Sequence, residues 1–457
     1  MKPGIAINRR VFLLSSGYGL LSLCLLPRTA SAGWESVPAI LARIRPPVFP
    51  KRDFDITRYG AIGDGVKDSS EAFLRAIDAC SRAGGGCIII PAGDFLTGAI
   101  HLRSNINLHL SKGATLRFIP DPLRYLPAVY TRWEGVECMS YSPLIYAFEQ
   151  ENIAITGEGI LDGQASNECW WPWTGSSFYG GSREKPNQMI ARNKLFRMGE
   201  NDVPVKDRVF GEGSFLRPNF IQFYQCRNIL IEGVTIRNSP MWQLHPVLCT
   251  NVTVRGVSLT SHGPNNDGCN PESSRDVLIE NCFFDTGDDC IAVKSGRNRD
   301  GRRIGRPSEN VIVQHCRMKD GHGAVTIGSE ASGGVRNVFA EDCDMNSPNL
   351  ERALRLKTNS VRGGFIENVF MRNVSIGEVS DAVLRINLFY EEGDAGEFPP
   401  RVRNIEMNNV TSKKSKYGLY LRGYEHSPLH NIRISHCSFE NASYPDVIEN
   451  VEGLTID

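Results

Sequence analysis

Four short stretches of this sequence hold the residues that could do chemistry. "GPNNDG" places Asp267, "TGDDCIAVKSG" supplies Asp288 and Asp289, "DGHGAVTIGSE" brings His322, and "ERALRLKTNS" carries Arg355 and Lys357. Clustered carboxylates cannot all ionise freely, because like charges and partial burial raise the pKa of at least one. That gives a protonated acid beside an ionised base, the pairing that cleavage of a glycosidic bond by water requires. An imidazole can hold or tune the acid's proton. An arginine and a lysine match a substrate carboxylate, the arginine in a bidentate way. Each stretch is weak by itself. Asn-Asp-Gly reads as a turn, Asp-Asp after Gly is common in loops, and Arg-Leu-Lys suits a solvated strand face. Their order and spacing are harder to obtain by chance.

The elements that must position them form a repeat. "NIAITGEG" from Asn152, "NILIEGV" from Asn228, "NVTVRGV" from Asn251 and "DVLIENC" from Asp276 share one pattern, continued from Asn310, Asn337, Asn368, Asn404 and Asn431. From Asn228 on, the starts lie 23 to 36 residues apart. Each copy is a short strand with period-2 alternation. The expected fold is all-β, a right-handed parallel β-helix in which every coil stacks on its neighbours. The sixth place of the repeat alternates between Val and Cys (282, 316, 343, 437), read as small core filler. Adjacent strands of such a stack lie about 4.8 Å apart. Asp267 and Asp288, 21 residues apart, then sit about one coil apart, with His322 and the Arg355/Lys357 pair on the next two coils. Because neighbouring strand residues point to opposite faces, Asp288 and Asp289 can share a cleft only if the chain bends beside them.

At the N-terminal side, "DSSEAFLRAIDACSRAGGG" predicts a helix that caps the first coil, with Asp68 and Glu71 as a capping box and Phe73, Leu74, Ile77 and Cys80 as its apolar face. Cys80 and Cys87 are candidates for a disulfide in an oxidising compartment. A long aromatic and Gly-rich excursion at about 164–216 breaks the repeat, and its Trp170, Trp171 and Trp173 suit either loop packing or a sugar platform. Residues 1–32 read as a twin-arginine-like export signal: Arg9-Arg10, an apolar run, then Ala30-Ser31-Ala32. A short lead (33–52) and a β-helix domain (53–457) follow, with the product periplasmic or secreted and free of the membrane after cleavage. Lys+Arg and Asp+Glu are both 51, so nucleic acid is not an expected partner. No CxxC spacing suggests a metal site.

"NNDG", "GDD", "GHG" and "RLK", in that order on a β-helix, resemble the signatures of the polygalacturonase family, glycoside hydrolase family 28. "NIAITGEGILDG" and "NSPMWQLHP" are similar to that family too, so the resemblance covers roughly 53–440. It implies an inverting hydrolase of α-1,4-linked galacturonate in pectic polysaccharide, with no metal or cofactor. Asp288 would be the general acid, Asp267 and Asp289 would activate water, and His322 would support the acid. Arg355 and Lys357 would bind the carboxylate beside the scissile bond. Asn265, Trp242, His245, Lys294 and Arg302 would add substrate contacts. Asn266 stands where the family usually has Thr, and Leu356 where it has Ile. "RWEGVE", "WWPW" and "DGRRIGRPSENV" resemble bacterial exo-acting members most. We therefore expect the 164–216 excursion to wall one end of the groove, with the Arg-rich loop 297–306 holding a terminal galacturonate. An endo-acting enzyme, a rhamnogalacturonan hydrolase, a calcium-dependent pectate lyase and a non-catalytic carbohydrate-binding β-helix are the competing readings.

Overall fold

The computed structural model describes residues 33–457 apart from residue 183, so the expected leader lies outside the described residues. The repeat builds a parallel β-helix. Strand Arg227–Glu232 pairs in parallel with Thr250–Arg255, that with Arg275–Glu280, and so on through Ser308–Gln314, Val335–Glu341, Phe365–Glu378, Arg401–Lys414, Leu429–Ser435 and Val451–Ile456. The register keeps like on like. Ile229, Val252, Val277, Val311, Val338, Val369, Ile405, Ile432 and Leu454 are successive Cα partners, and all but the last are buried.

The residue that opens each repeat has a physical reason to be Asn. Asn152, Asn228, Asn251, Asp276, Asn310, Asn337, Asn368, Asn404 and Asn431 all have positive φ, from 52° at Asn152 to 60° at Asn251. Asn and Asp tolerate that left-handed turn better than other side chains. The amides also stack: Asn228 donates to Asn152 Oδ1 at 2.9 Å and Asn251 to Asn228 Oδ1 at 2.9 Å. The ladder resumes from Asn310 to Asp276 at 2.9 Å and continues to Asn431. It breaks at Asp276, which has no amide to donate to Asn251. There the lead segment steps in: the Arg45 N–H donates to Asn251 Oδ1 at 2.9 Å, and Arg43 pairs with Asp276 at 2.8 Å. The short helix Val37–Leu41 packs with Trp34 on an outward apolar stripe of Leu278, Ile312, Phe339 and Phe370.

Cys282, Cys316 and Cys343 are buried, and with Cys437 each directs its thiol to the carbonyl two residues back, at 3.2–3.3 Å. All cysteines among the described residues are free thiols, Cys80 and Cys87 included, so the disulfide expected there is not formed. The capping helix runs over Ser70–Arg82 and buries Phe73, Ile77 and Cys80, but Leu74 is 50% exposed. Asp68 accepts the Ser70 N–H at 2.9 Å, so the reciprocal box with Glu71 does not form.

A second parallel sheet holds the residues of interest. It runs through Ile291–Val293, Val325–Gly328, Arg352–Lys357, Ala382–Asn387, Tyr417–Arg422 and Val447–Glu449. Parallel bridges Leu244–Cys269–Ile291 and Val247–Glu272–Lys294 join it to strand Leu244–Val247 on the N-terminal side.

Candidate active site

Asp288 and His322 lie just before strands of this second sheet, Asp267 lies just before the Cys269 bridge that continues it, and Arg355 and Lys357 lie within a strand, so the stacking brings successive coils together. The strand Phe283–Thr286 ends before Gly287, and the chain bends at Gly287 and Asp288, as the paired aspartates require. Asp267, Asp288, His322, Arg355 and Lys357 line one cavity of about 230 Å³, together with Asn265, Trp242 and Lys294. Asp289 lies beneath it, fully buried. Its Oδ1 accepts from Arg355 at 3.1 Å and Thr326 at 2.9 Å, and its Oδ2 from Lys357 at 2.7 Å.

The three aspartates have different electrostatic fates. Burial pushes the Asp267 carboxyl well above the usual range, the Asp288 charge pushes it further, and Lys294 at 3.5 Å only partly offsets them. Burial is the largest effect on Asp288 too, but the hydrogen bond from His322 at 3.0 Å together with the His322 and Lys357 charges reverses it, and Asp288 is held below its ordinary value. That same bond raises His322 to about 9, against its partial burial. For Asp289 burial is again the largest effect, and the Lys357 and Arg355 charges reverse it. The raised carboxyl is therefore Asp267, in the site as it stands without substrate. Asn266, which fills the place where Thr was expected, anchors this turn: its side chain accepts from Gly263 N–H at 2.9 Å and donates to the Ser239 and Met241 carbonyls at 3.1 Å.

Two expected substrate contacts are placed elsewhere. His245 is fully buried behind Trp242, hydrogen-bonded to Glu272 at 2.7 Å and in edge-to-face contact with the indole at 4.8 Å. It packs against the Trp242 ring and is not part of the cavity lining. Arg302 points away from the cavity, donating to the Val361 and Arg362 carbonyls at 2.9 and 3.0 Å and stacking on Phe398. The Arg-rich stretch expected to be a loop holds the helix Asn298–Ile304, and of its arginines Arg297, just before that helix, reaches the cavity. The tryptophans of the excursion turn out to be packing: Trp170 is 2% exposed, Trp173 meets it at 4.9 Å, and the Trp171 N–H is held by the Ser239 carbonyl at 2.9 Å.

Glu134, Arg192, Ser329, Glu330, Tyr390 and Glu391 complete the lining and were not singled out in the sequence. Glu134 lies in the quoted "RWEGVE"; Ser329, Glu330, Tyr390 and Glu391 come from loops between strands, where no period marks them. Arg192 is on the helix Met189–Glu200 of the excursion and donates to Glu134 at 2.8 Å. This helix crosses the sheet from side to side. Near its start, Gln188 accepts from Arg217, which also donates to Asn265 Oδ1 at 2.7 Å. Beyond its end, Asp202 takes Arg299 at 2.8 Å. Between these ties, Ala191 and Leu195 pack with Met241 and Trp242. The excursion thus covers the coil on the N-terminal side of Asp267.

The sequence pattern of glycosyl hydrolases family 28 matches residues 212–455. The structure is similar to that of a hyperthermoactive exopolygalacturonase from Thermotoga maritima, with 49% identity, a TM-score of 0.88, and coverage of 91% of this chain and 96% of that one. A Vitis vinifera protein named "Probable polygalacturonase" is 28% identical over 416 residues, 87% of this chain and 77% of its own length. An exo-poly-alpha-D-galacturonosidase of Dickeya chrysanthemi is 28% identical over 384 residues, 79% of this chain and 62% of its own length. The pattern match spans more than half the chain and the bacterial likeness nearly all of it, and on these grounds the chain belongs to glycosyl hydrolases family 28.

Proposed function

We propose that this enzyme removes galacturonate from the end of de-esterified pectic chains, cleaving α-1,4 links with inversion. One observation carries the reading: two interacting carboxylates, Asp267 and Asp288, face a cavity of about 230 Å³ with a near-balanced set of charges. Arg192, Lys294, Arg297, Arg355, Lys357 and protonated His322 oppose Glu134, Asp288, Glu330, Glu391 and the underlying Asp289. With Asp267 protonated, the balance is one positive charge, which suits one sugar carboxylate. The cavity has room for about one sugar ring, and the helix Met189–Glu200 closes the N-terminal side. The names of the similar bacterial proteins favour end-wise release too.

In this reading Asp288 protonates the glycosidic oxygen and Asp267 takes the proton of the attacking water. Buried like charges share protons as a pair. Burial and the Asp288 charge favour the proton on Asp267, so for Asp288 to act as the acid the shared proton must pass to it, and His322, hydrogen-bonded to Asp288 at 3.0 Å, is the group that can exchange a proton with it. Asp289 holds Arg355 and Lys357 in place beneath the sugar carboxylate. Trp242, Asn265 and Lys294 form the floor and rim.

The test is product analysis on polygalacturonate with purified protein. Galacturonic acid as sole early product, slow loss of viscosity and a β-configured first anomer are expected. Oligomers with fast viscosity loss would make the enzyme endo-acting. Ultraviolet-absorbing ends would mean elimination, and turnover of rhamnogalacturonan alone would change the substrate. We also propose that residues 1–32 export the chain; cell fractionation with and without Arg9-Arg10 tests this.

A further inference from the structure

The sheet that carries Arg355 continues past the cavity for further coils, and it carries a second set of carboxylate- and sugar-matching side chains. Arg355 is the Cα partner of Arg385, and Arg385 of Tyr420. All three point out from the same face, since alternate residues of these strands, such as Leu354, Leu384 and Leu419, are buried. The Arg385 guanidinium lies 3.9 Å over the Tyr420 ring. Tyr417 meets Tyr420 at 5.3 Å, and Lys416 reaches the Tyr417 ring at 5.2 Å.

We propose that Arg385, Tyr420, Tyr417 and Lys416 form a distal binding platform for the galacturonate units on the leaving-group side of the cut. This rests on the pectic-hydrolase reading above. Three observations carry it. First, direction: the helix Met189–Glu200 closes the groove over Met241 and Trp242, so a chain entering the cavity leaves along the coils that follow Arg355. Second, spacing: one coil is about 4.8 Å, of the order of one pyranose unit, so successive sugars meet successive coils. Third, chemistry: a galacturonate offers a carboxylate and an apolar ring face, which a guanidinium, an ammonium and phenol rings match.

Arg385 is already paired with Asp381 through Nη1 at 2.8 Å. Asp381 is shared with Arg352 at 2.6 Å, so one carboxylate is spread over two guanidiniums. That pairing uses Nη1 alone and goes with the Arg385 guanidinium lying over Tyr420.

The experiment compares kcat/KM on tetragalacturonate and digalacturonate for the native enzyme, Tyr420→Ala, Lys416→Ala and Arg385→Ala. The dimer ends before the platform and the tetramer crosses it. The tetramer-to-dimer ratio is expected to fall about tenfold in Tyr420→Ala and Arg385→Ala, and less in Lys416→Ala. A native ratio in all three variants would overturn the platform. Equal losses on both substrates would also overturn it, because that is the signature of a general structural effect. Product analysis of the native enzyme separates the two readings: internal cutting would sink the end-wise reading, while the ratio still reports on the platform.

Discussion

His322 Nδ1 stands 3.0 Å from Asp288 Oδ1, and the two form an ion pair at the mouth of the cavity. The hydrogen bond raises His322 to about 9, so the imidazole is charged at neutral pH and loses its proton as pH rises through that value. In the native enzyme kcat/KM should therefore fall on an alkaline limb near that pH. His322→Gln removes the charge that holds Asp288 down. It should lower kcat/KM about 100-fold and shift the alkaline limb. A pH–rate profile with the native limb in the variant would remove His322 from the proton path.

Asp267 and Asp289 should answer the same substitution with opposite signs in stability. Asp267 has a raised pKa in the folded state, so the native protein holds a proton that the unfolded chain releases above about pH 4. Stability is lost as pH rises above that point. Asp267→Asn should abolish turnover and raise stability at neutral pH, because the amide needs no proton to stay neutral in its buried place. The gain should fade toward pH 4. Asp289 is held low by Lys357 and Arg355, so its pairing is present at neutral pH and is lost only in strong acid. Asp289→Asn leaves Lys357 and Arg355 without their buried partner and should cost about 3 kcal/mol. Denaturant melts of both variants at pH 4 and pH 7 check the signs.

Arg192 is the residue of the excursion that both lines the cavity and ties the transverse helix to Glu134, at 2.8 Å. Arg192→Ala should slow monomer release about 10- to 100-fold, as expected for a lost charged contact to a sugar. It should raise the share of longer products. Chromatography of early digests reads both. Arg302→Ala should leave KM at the native value, because Arg302 is spent on the Val361 and Arg362 carbonyls.

The solenoid and the cluster of titratable residues in the cavity are legible in the sequence because each repeats or aligns along the chain. The Asn at each repeat start, the Val/Cys at its sixth place and the one-coil offsets of Asp267, Asp288, His322 and Arg355 are all one-dimensional signals. What failed was the direction of single side chains, on the strand Leu244–Val247 for His245 and on the helix Asn298–Ile304 for Arg302. His245 and Arg302 have suitable chemistry, but burial against Glu272 and capping of backbone carbonyls claim them. Arg192 and Glu134 were missed because a helix and a loop distant in sequence meet over the sheet, and no periodicity encodes that meeting. Asp276 looked like one more repeat start. That it interrupts an amide ladder became visible only with Arg43 and Arg45 laid across the gap.

That gap gives a sharper test of the lead segment than truncation alone. Asp276→Asn supplies the missing amide to Asn251 but loses the Arg43 pair, which is half-exposed on the arginine side and is worth at most about 1 kcal/mol. In the full-length protein the two effects oppose, and Asn251 Oδ1 is already satisfied by the Arg45 N–H. Asp276→Asn should therefore be neutral or cost up to about 1 kcal/mol. In a chain that starts at residue 46, Asn251 Oδ1 loses its donor, Asp276 loses Arg43 and keeps Arg275 at 3.5 Å as its cation, and the apolar stripe of Leu278, Ile312, Phe339 and Phe370 is uncovered. There the same substitution closes the ladder and should stabilise by about 1 kcal/mol. Denaturant melts of the four proteins form a double-mutant cycle, in which residues sharing a partner are expected to couple. Additive changes would mean that the lead segment lies on the solenoid without completing it.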